Sequence, residues 1–255
     1  MLEGKTALIT GGAGGIGKET AQLFLDNGAD VVLVDVNEEA LTNAKNDLTS
    51  GEKTITVIQA DVTKVEDVEN YVKQAAETFG KIDIFFNNAG INGPVTPIRD
   101  LDKEQFDLIM NINTTGIFLG LKHMIRQMEK QQYGVIINTA SNAAYIGSAG
   151  MAGYIASKHA VAGLTKTAAL EAASANIRVN AVAPAAIDTQ MLTSIQRNLS
   201  PDDPEQAAAA IREGIPAERF GTPKEVAEVV LFLASDRASF VTGSLYNVDG
   251  GMQAD

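Results

Sequence analysis

Short apolar runs alternate with longer segments of helical character along the first two-thirds of the chain, and this rhythm most restricts how the chain can fold. The apolar runs are rich in Val and Ile and span residues 6–10, 30–35, 54–60, 82–87, 134–140 and 177–183. The helical segments between them span residues 15–27, 37–49, 64–79, 103–130 and 154–174. Short β-branched runs are typical of strands buried on both faces of a parallel sheet. Their alternation with helices predicts right-handed β-α-β units and a doubly wound α/β sheet.

No linker, repeat or low-complexity tract divides the chain, which we interpret as a single domain over residues 1–255. A last helix is predicted over 223–235 and a closing strand over 244–251. One segment, residues 188–216, interrupts the alternation with three of the seven prolines and an alanine-rich helical piece. Because a long excursion between regular elements usually serves function, we expect a lid over the substrate. The alternative is a surface insertion without a role.

The composition excludes several classes of function. Asp and Glu outnumber Lys and Arg by 32 to 20, and the net charge of −12 disfavours nucleic acid and anionic membranes as partners. The absence of cysteine rules out disulfides, thiolate catalysis and cysteine-based zinc sites, and it fits a reducing cytoplasm. No apolar run approaches the roughly 20 residues that span a bilayer, and no signal peptide is expected. No further ligands are spaced around the only histidines, His123 and His159, so no metal site is expected.

The first predicted strand runs into the glycine-rich sequence TGGAGGIGKETAQLF, residues 10–24. Gly11, Gly15 and Gly17 fall in the turn between strand and helix, and the helix is expected to begin near Ile16. Glycine lets a pyrophosphate approach the backbone, and the helix N-terminus offers free N–H groups and a positive dipole end. The context predicts a phosphate cradle for a dinucleotide. The alternative is a tight connection between strand and helix.

An acidic residue, Asp35, ends the second strand 24 residues after Gly11. A carboxylate at this place accepts hydrogen bonds from the adenosine ribose and repels a 2′-phosphate. No Lys or Arg stands at Gly14, Val36 or Asn37 to compensate. We therefore predict NAD rather than NADP as the cofactor. The alternative for Asp35 is a solvated carboxylate at a strand end.

Two further strand ends carry polar side chains. Asp61 follows the third strand, where its carboxylate can reach the adenine amino group, and Asn87 and Asn88 end the fourth. Ligands of such sheets bind outside the carboxyl ends of the strands, so these residues are candidates for cofactor binding. For the asparagines, hydrogen bonding within the turn is an equal alternative.

Two tyrosines, Tyr145 and Tyr154, follow Ser141 along the chain, but only Tyr154 has a lysine four residues later. On a helix this spacing places Lys158 and Tyr154 on one face. A free phenol has a pKa of about 10, and we expect the ammonium of Lys158 together with the positive charge of an oxidised nicotinamide to lower the pKa of Tyr154 toward about 7. We therefore interpret Tyr154 as the acid–base group. Tyr145 forms at most a wall of the substrate pocket.

Together these motifs resemble the short-chain dehydrogenase/reductase family. The matching stretches are TGGAGGIG, DV at 61–62, NNAG at 87–90, NTTG from Asn113, Ser141, YIASK and VAPAAIDT, in the family's order and over essentially the whole chain. The resemblance implies a seven-stranded Rossmann-type domain, a nicotinamide cofactor and a homotetramer. It also implies a catalytic set of Asn113, Ser141, Tyr154 and Lys158. In that set Ser141 holds the substrate oxygen and Asn113 holds a proton-relaying water.

The resemblance carries cofactor contacts over to the residues that match its motifs. They are Gly11, Gly15, Ile16, Gly17, Asp35, Asp61, Val62, Asn88, Ala89, Gly90, Tyr154, Lys158, Pro184, Ile187 and Thr189. One position departs from the family pattern, in which Pro-Gly usually follows the sixth strand, whereas this chain has Pro184-Ala185. Because Ala185 carries a Cβ, the loop at the nicotinamide is expected to differ slightly.

We predict an oxidoreductase that transfers a hydride between NAD(H) and a small secondary alcohol or ketone. One alternative is a 3-oxoacyl-thioester (acyl carrier protein) reductase, which Asp35 disfavours because such enzymes usually take NADPH. Another is a catalytically silent NAD sensor or scaffold, which the complete catalytic set disfavours. The residues expected to line the substrate pocket carry no charge, which favours a neutral substrate. They are Asn92, Gly93, Asn142, Ala143, Ile146, Ala185 and Met191.

Overall fold

The computed structural model describes residues 1–254 and shows one sheet of seven parallel strands. The strands are β1 (Thr6–Thr10), β2 (Asp30–Asp35), β3 (Ile55–Gln59), β4 (Ile84–Asn87), β5 (Gly134–Thr139), β6 (Ile177–Pro184) and β7 (Leu245–Val248). They lie in the order β3-β2-β1-β4-β5-β6-β7, and the predicted doubly wound sheet is confirmed. Every predicted strand is present, with ends that differ by at most three residues.

Nine α-helices connect and flank the strands in the described part of the chain. They are α1 (Gly15–Asp26), α2 (Glu38–Asp47), α3 (Val65–Phe79), α4 (Lys103–Met110), α5 (Gly116–Gln131), α6 (Ala152–Ala172), α7 (Gln190–Leu199), α8 (Pro204–Glu213) and α9 (Pro223–Ala234). Short 3₁₀ turns occur at Ile98–Asp100, Asn142–Ala144, Ala173–Ala175 and Asp236–Ala238. None of the helices in residues 1–254 has the length and apolar character needed to cross a membrane.

The single helix expected over 103–130 contains a turn of π-helix, Asn111–Thr115, between α4 and α5. There the N–H of Gly116 donates to the carbonyl of Asn111, five residues earlier, which adds one residue to the turn. The backbone remains helical through the turn. The sequence pattern therefore predicts one helix over the whole segment and does not reveal the extra residue.

Alternate strand residues bury their side chains in two apolar layers, one on each face of the sheet. Leu8 belongs to the layer that contains Tyr71 of α3 and Met124 of α5. Its neighbour Ile9 belongs to the opposite layer, with Phe24 of α1. Because both faces are covered, the central strands are apolar throughout rather than alternating with polar residues.

The strand order reverses at β1, which pairs with β2 on one side and β4 on the other. In a doubly wound sheet such a reversal opens a crevice beyond the carboxyl ends of the strands. The turns that follow β1, β2, β4 and β5 all reach this edge. It is the place where the predicted site residues come together.

The segment 188–216 folds into two helices, α7 and α8, whereas one alanine-rich piece was expected. The alanine-rich piece is α8, and α7 was missed. The hydroxyl of Thr189 accepts a hydrogen bond from the N–H of Leu192 at the start of α7, and Asp203 caps α8 in the same way through Gln206. Thr and Asp are favoured at such positions, so Thr189 was a visible start signal.

Candidate active site

A glycine-rich turn connects β1 to α1 and forms one end of the site. Gly11 has a φ of +62°, which L side chains rarely adopt. A Cβ on Gly17 would lie 2.2 Å from the carbonyl oxygen of Gly11, so only glycine lets α1 pack this closely on the turn. No side chain of residues 1–254 caps the start of α1 at Gly15, which leaves its first N–H groups for an anion. The turn has the geometry of a phosphate cradle.

Asn88, just after β4, ties this cradle to the neighbouring strands. Its Nδ2 donates to the carbonyls of Thr10 and Gly11 at 3.1 and 3.3 Å, and its Oδ1 accepts from the hydroxyl of Thr139 at 3.0 Å. The hydroxyl of Thr10 in turn accepts from the N–H of Asn88 at 2.9 Å. The side chain of Asn88 therefore hydrogen-bonds the neighbouring backbone, which is the structural alternative to cofactor binding given in the sequence analysis.

Two carboxylates lie beyond the ends of β2 and β3. Asp35 is half-buried and accepts a hydrogen bond from the N–H of Ala13 at 3.3 Å, which links it to the glycine-rich turn. Asp61 accepts from the N–H and the hydroxyl of Thr63 at 3.0 and 2.7 Å. Burial raises the pKa of Asp61, but these hydrogen bonds and the charge of Lys64 outweigh burial and hold that pKa below its ordinary value.

Ser141, Tyr154 and Lys158 converge beyond the carboxyl end of β5. The Oγ of Ser141 donates toward the carbonyl oxygen of Pro184 at 3.2 Å. Tyr154 lies in the first turn of α6, and the Nζ of Lys158, one turn later, is 5.6 Å from the centre of the Tyr154 ring. The same Nζ donates to the carbonyl oxygen of Thr139 at 2.8 Å. The backbone at the end of β5 thus fixes the lysine beside the phenol.

Asn113 lies fully buried in the π turn and holds the loop that follows β4. Its Oδ1 accepts from the N–H of Ile91 and its Nδ2 donates to the carbonyl of Ile91, both at 2.8 Å, while Nδ2 also donates to Ser157 at 3.1 Å. A Cβ on Gly90 would lie 3.1 Å from the Oδ1 of Asn113 and 3.7 Å from the Nζ of Lys158. Asn113 therefore lies next to the lysine, with its side chain committed to positioning this loop.

One cavity of about 710 Å³ runs from the glycine-rich turn to Tyr154. Every residue predicted to bind the cofactor lines it except Gly17. Those that line it are Gly11, Gly15, Ile16, Asp35, Asp61, Val62, Asn88, Ala89, Gly90, Tyr154, Lys158, Pro184, Ile187 and Thr189. Gly17 lies behind the turn, where its lack of a side chain permits helix packing. A cradle that a Cβ would obstruct, next to an acidic side chain, fits a dinucleotide.

Beyond Tyr154 the cavity has mostly apolar walls. Five residues expected there are present, namely Asn142, Ala143, Ile146, Ala185 and Met191. The prediction for Asn92 and Gly93 is wrong, because they line a separate polar cavity of about 500 Å³ next to α7. The positive φ of Gly93, +71°, turns the chain here against Ile109 of α4. Tyr145 is 45% exposed and is not among the residues that line the cavity.

Several apolar residues of the same walls were missed in the sequence. They are Met151, Ile155, Leu192, Ile195, Leu199, Ile211 and Met252. On α7, the spacing of Leu192, Ile195 and Leu199 by three and four residues was a signal for one apolar helix face. Met252 had no such signal, because it reaches the cavity through the fold of the C-terminal turn.

Ala185, where the family usually has glycine, introduces no backbone strain. Among the described residues, only Gln132, Asn176 and Glu218 combine a side chain with a positive φ. The N–H of Ala185 donates to the carbonyl of Val248 at 3.1 Å, which fixes the loop to β7. A difference in the loop is therefore not forced by the alanine.

Known proteins match the chain over nearly its whole length. A family model described as enoyl-(acyl carrier protein) reductase matches residues 11–253. Levodione reductase of Leifsonia aquatica is 40% identical over 98% of this chain and 94% of its own. The 3-oxoacyl-[acyl-carrier-protein] reductase of Thermotoga maritima is 39% identical over 98% of both chains. Cyclohexanol dehydrogenase of an Acinetobacter species is 39% identical over 96% of this chain and 94% of its own.

Solved structures agree. A crystal structure of levodione reductase has a TM-score of 0.98 at 39% identity, covering 100% of this chain and 99% of that one. The chain belongs to the short-chain dehydrogenase/reductase family. It is therefore an oxidoreductase, and the resemblance inferred from its motifs is confirmed. The structure of an NAD⁺-bound xylitol dehydrogenase has a TM-score of 0.95 at 38% identity, covering 98% of this chain and 99% of that one.

In this short-chain dehydrogenase/reductase, burial shifts the pKa values of both Tyr154 and Lys158. Burial lowers the pKa of Lys158 to about 8. Burial also raises the pKa of Tyr154, and the contact with Ser141 opposes this only in part. The expected lowering of the Tyr154 pKa is thus not seen in the protein alone. The reason is that the protein surrounds the phenol of Tyr154 at the cavity wall, while the Nζ of Lys158 bonds to Thr139 rather than to the phenol.

The low pKa of Lys158 makes the free energy of unfolding depend on pH. Between about 8, the folded pKa, and about 10.5, the ordinary one, the unfolded chain holds a proton that the folded chain has released. Stability contributed by this group therefore rises with pH across that window and is constant below it. Relative to Lys158→Met, the wild type should gain about 2 kcal/mol between roughly pH 7 and 9.5.

Urea unfolding of both proteins across this pH range measures the difference, and the upper limit keeps tyrosine ionisation out of the comparison. Lys166→Met removes an exposed lysine from the same helix and is the matched control. A difference between wild type and Lys158→Met that stays constant with pH would contradict a lysine whose pKa is lowered by burial.

Proposed function

We propose that this protein interconverts a neutral secondary alcohol and its ketone by hydride transfer to or from NAD(H), with Tyr154 as the acid–base group. One observation carries the proposal. Ser141, Tyr154 and Lys158 stand at one end of a cavity whose other end is the glycine-rich cradle beside Asp35. The cavity joins a phosphate-binding end to a proton-transferring end.

When bound, the nicotinamide ring supplies the hydride acceptor or donor, and the protein supplies positioning and proton transfer. The hydroxyl of Tyr154 takes the proton of the substrate hydroxyl in oxidation and returns it in reduction. Ser141 turns its hydroxyl from the carbonyl of Pro184 to the substrate oxygen and stabilises the charge that develops there. Lys158, held by Thr139, places a positive charge beside the phenol and favours its ionised form.

The predicted role of Asn113, to hold a proton-relaying water, is also part of the proposal. Its Nδ2 already donates to Ile91 and Ser157. A water that links Lys158 to solvent is therefore best held by backbone carbonyls of the π turn, where the extra residue interrupts the regular helical ladder.

NAD(H) as the cofactor rests on a relative and on one side chain. The structure of the xylitol dehydrogenase, which is 38% identical, contains NAD⁺. This relative confirms the prediction of NAD(H). Asp35 gives the physical reason, because its carboxylate accepts hydrogen bonds from ribose hydroxyls and repels a 2′-phosphate.

The walls of the cavity support a neutral, cyclic substrate. Lys158 is the one charged side chain among the lining residues on the substrate side of the cradle, in the part of the chain that the structure describes. A substrate carboxylate or phosphate would therefore be buried without a partner, which is costly. Cyclohexanol dehydrogenase, whose name gives a ring alcohol, is among the relatives.

A 3-oxoacyl-thioester reductase is the weaker alternative, supported by the Thermotoga maritima relative. Asp35 disfavours it, because such enzymes usually take NADPH and a carboxylate at the end of β2 repels a 2′-phosphate. A silent NAD-binding scaffold is disfavoured because the acid–base groups converge at one place.

The helices of residues 188–216 support the proposed lid. Leu192, Ile195 and Leu199 of α7 and Ile211 of α8 line the cavity, so movement of these helices would open the substrate side. Hydrogen exchange in this segment that is unchanged by cofactor and substrate would contradict the proposal.

A homotetramer also remains a proposal, supported by large apolar side chains that are exposed in the single chain. Leu170 and Phe240 are 83% and 102% exposed, and Leu108 of α4 and Phe118 of α5 are both 47% exposed. A tetramer with dihedral symmetry needs at least two self-complementary patches. A monomeric mass in sedimentation would contradict it. A cytoplasmic location and the absence of nucleic-acid partners stay predictions from composition.

Tyr154→Phe should lower kcat for oxidation of cyclohexanol by NAD about 10²- to 10⁴-fold, since it removes the proton-transferring hydroxyl. The rise of NADH absorbance measures the rate. Tyr145→Phe removes a hydroxyl from the same stretch of chain but outside the cavity, and it should retain the rate of the wild type. Equal turnover by Tyr154→Phe and the wild type would exclude Tyr154 as the acid–base group.

Asp35→Asn should reduce the preference for NAD over NADP, measured as the ratio of kcat/KM values, by one to two orders of magnitude. The substitution removes the charge that repels a 2′-phosphate but keeps an acceptor for Ala13. Asp30→Asn, at the opposite end of β2, is the matched control and should leave the ratio unchanged. An unchanged ratio in Asp35→Asn would show that Asp35 does not read the ribose.

A further inference from the structure

The last described residues form a tight turn that has no part in the proton transfer above. It begins after β7 with Asp249, whose carboxylate accepts hydrogen bonds from the N–H groups of Gly251 and Gln253, both at 3.0 Å. The N–H of Met252 donates to the carbonyl of Asp249 at 3.3 Å. The carboxylate of Asp249 thus binds the backbone of the residues immediately before and after Met252.

Two glycines let this turn pack closely on the chain that follows α8. Gly250 and Gly251 have φ values of +61° and +96°, which side chains rarely adopt. A Cβ on Gly250 would lie 2.7 Å from the side chain of Ile215, and the carbonyl of Gly250 accepts from the N–H of Ala217 at 3.0 Å. These contacts fix the backbone from which the side chain of Met252 extends.

From this turn Met252 reaches the substrate end of the cavity, next to Asn142. The Nδ2 of Asn142 lies 3.9 Å from the Sδ of Met252, and the Oδ1 of Asn142 lies 3.1 Å from the Oγ of Ser141, as a second possible acceptor beside the carbonyl of Pro184. Ser141 is the residue proposed to hold the substrate oxygen. Only the side chain of Asn142 therefore separates Met252 from Ser141, and Met252 lines the same cavity.

We propose that Met252 is a specificity-determining residue that limits the size of the ring the site accepts. The inference rests on the proposed function. A thioether is polarisable and adapts to an apolar ring, and apart from Asn142 most side chains of the cavity beyond Tyr154 are apolar as well. Truncation of Met252 removes contact from a small ring and opens space for a larger one. Asp249 is the positioning residue, because its carboxylate closes the turn that carries Met252.

The test compares cyclohexanol with the bicyclic alcohol decahydro-2-naphthol, both oxidised with NAD. In Met252→Ala the ratio of kcat/KM values, bicyclic over monocyclic, should rise about tenfold or more, which is the range of apolar pocket discrimination. A ratio measured on one preparation does not depend on the fraction of folded enzyme, so a loss of stability alone would not move it. Met252→Leu keeps most of the bulk and should keep the ratio near that of the wild type.

Asp249→Ala should shift the ratio in the same direction as Met252→Ala, because the turn loses its two hydrogen bonds. Gln253→Ala, the next residue of the turn and outside the cavity lining, should leave the ratio unchanged. An unchanged ratio in Met252→Ala, with cyclohexanol still oxidised, would overturn this inference and leave the proposed function intact. If the wild type oxidises neither alcohol, the proposed function fails and the inference fails with it.

Discussion

Hydrogen bonds between the carboxyl ends of β1, β4 and β5 hold the two halves of the site at a fixed separation. Asn88 donates to the cradle at Thr10 and Gly11 and accepts from the hydroxyl of Thr139. The carbonyl of Thr139 in turn accepts from Lys158. The glycine-rich turn and Lys158 are thus connected through Asn88 and Thr139. In a poorly solvated interior such a network gives a unique geometry because unpaired polar groups are costly there.

The same burial also shifts the pKa values of both groups. It disfavours the ionised phenol of Tyr154 and the ammonium of Lys158 alike. Exclusion of water would strengthen the hydrogen bond that we propose Ser141 gives to the substrate oxygen, yet it keeps the phenol of Tyr154 protonated. The site of the protein alone therefore holds Tyr154 as an acid until a further positive charge comes close to it.

The sheet was predictable because run length and spacing are local properties of the chain. The choice of Tyr154 was local too, since it depended on the interval to Lys158. Gly93 was misplaced because it packs against Ile109 and lines the neighbouring cavity, which depends on how the loop after β4 folds. Met252 was missed because its position depends on contacts with Ile215 and its neighbours, far away in the sequence. The direction of the Tyr154 pKa shift depends on burial, which no spacing reveals.

The π turn at Asn111–Thr115 gives one continuous helix two registers. Each residue advances an α-helix by about 100°, so one extra residue rotates everything after it relative to everything before. Without that residue, the side chains of α5 that pack on the sheet, such as Leu121 and Met124, would turn away from the apolar layer. The extra residue therefore lets Asn113 face the site while the apolar side chains of α5 still face the core.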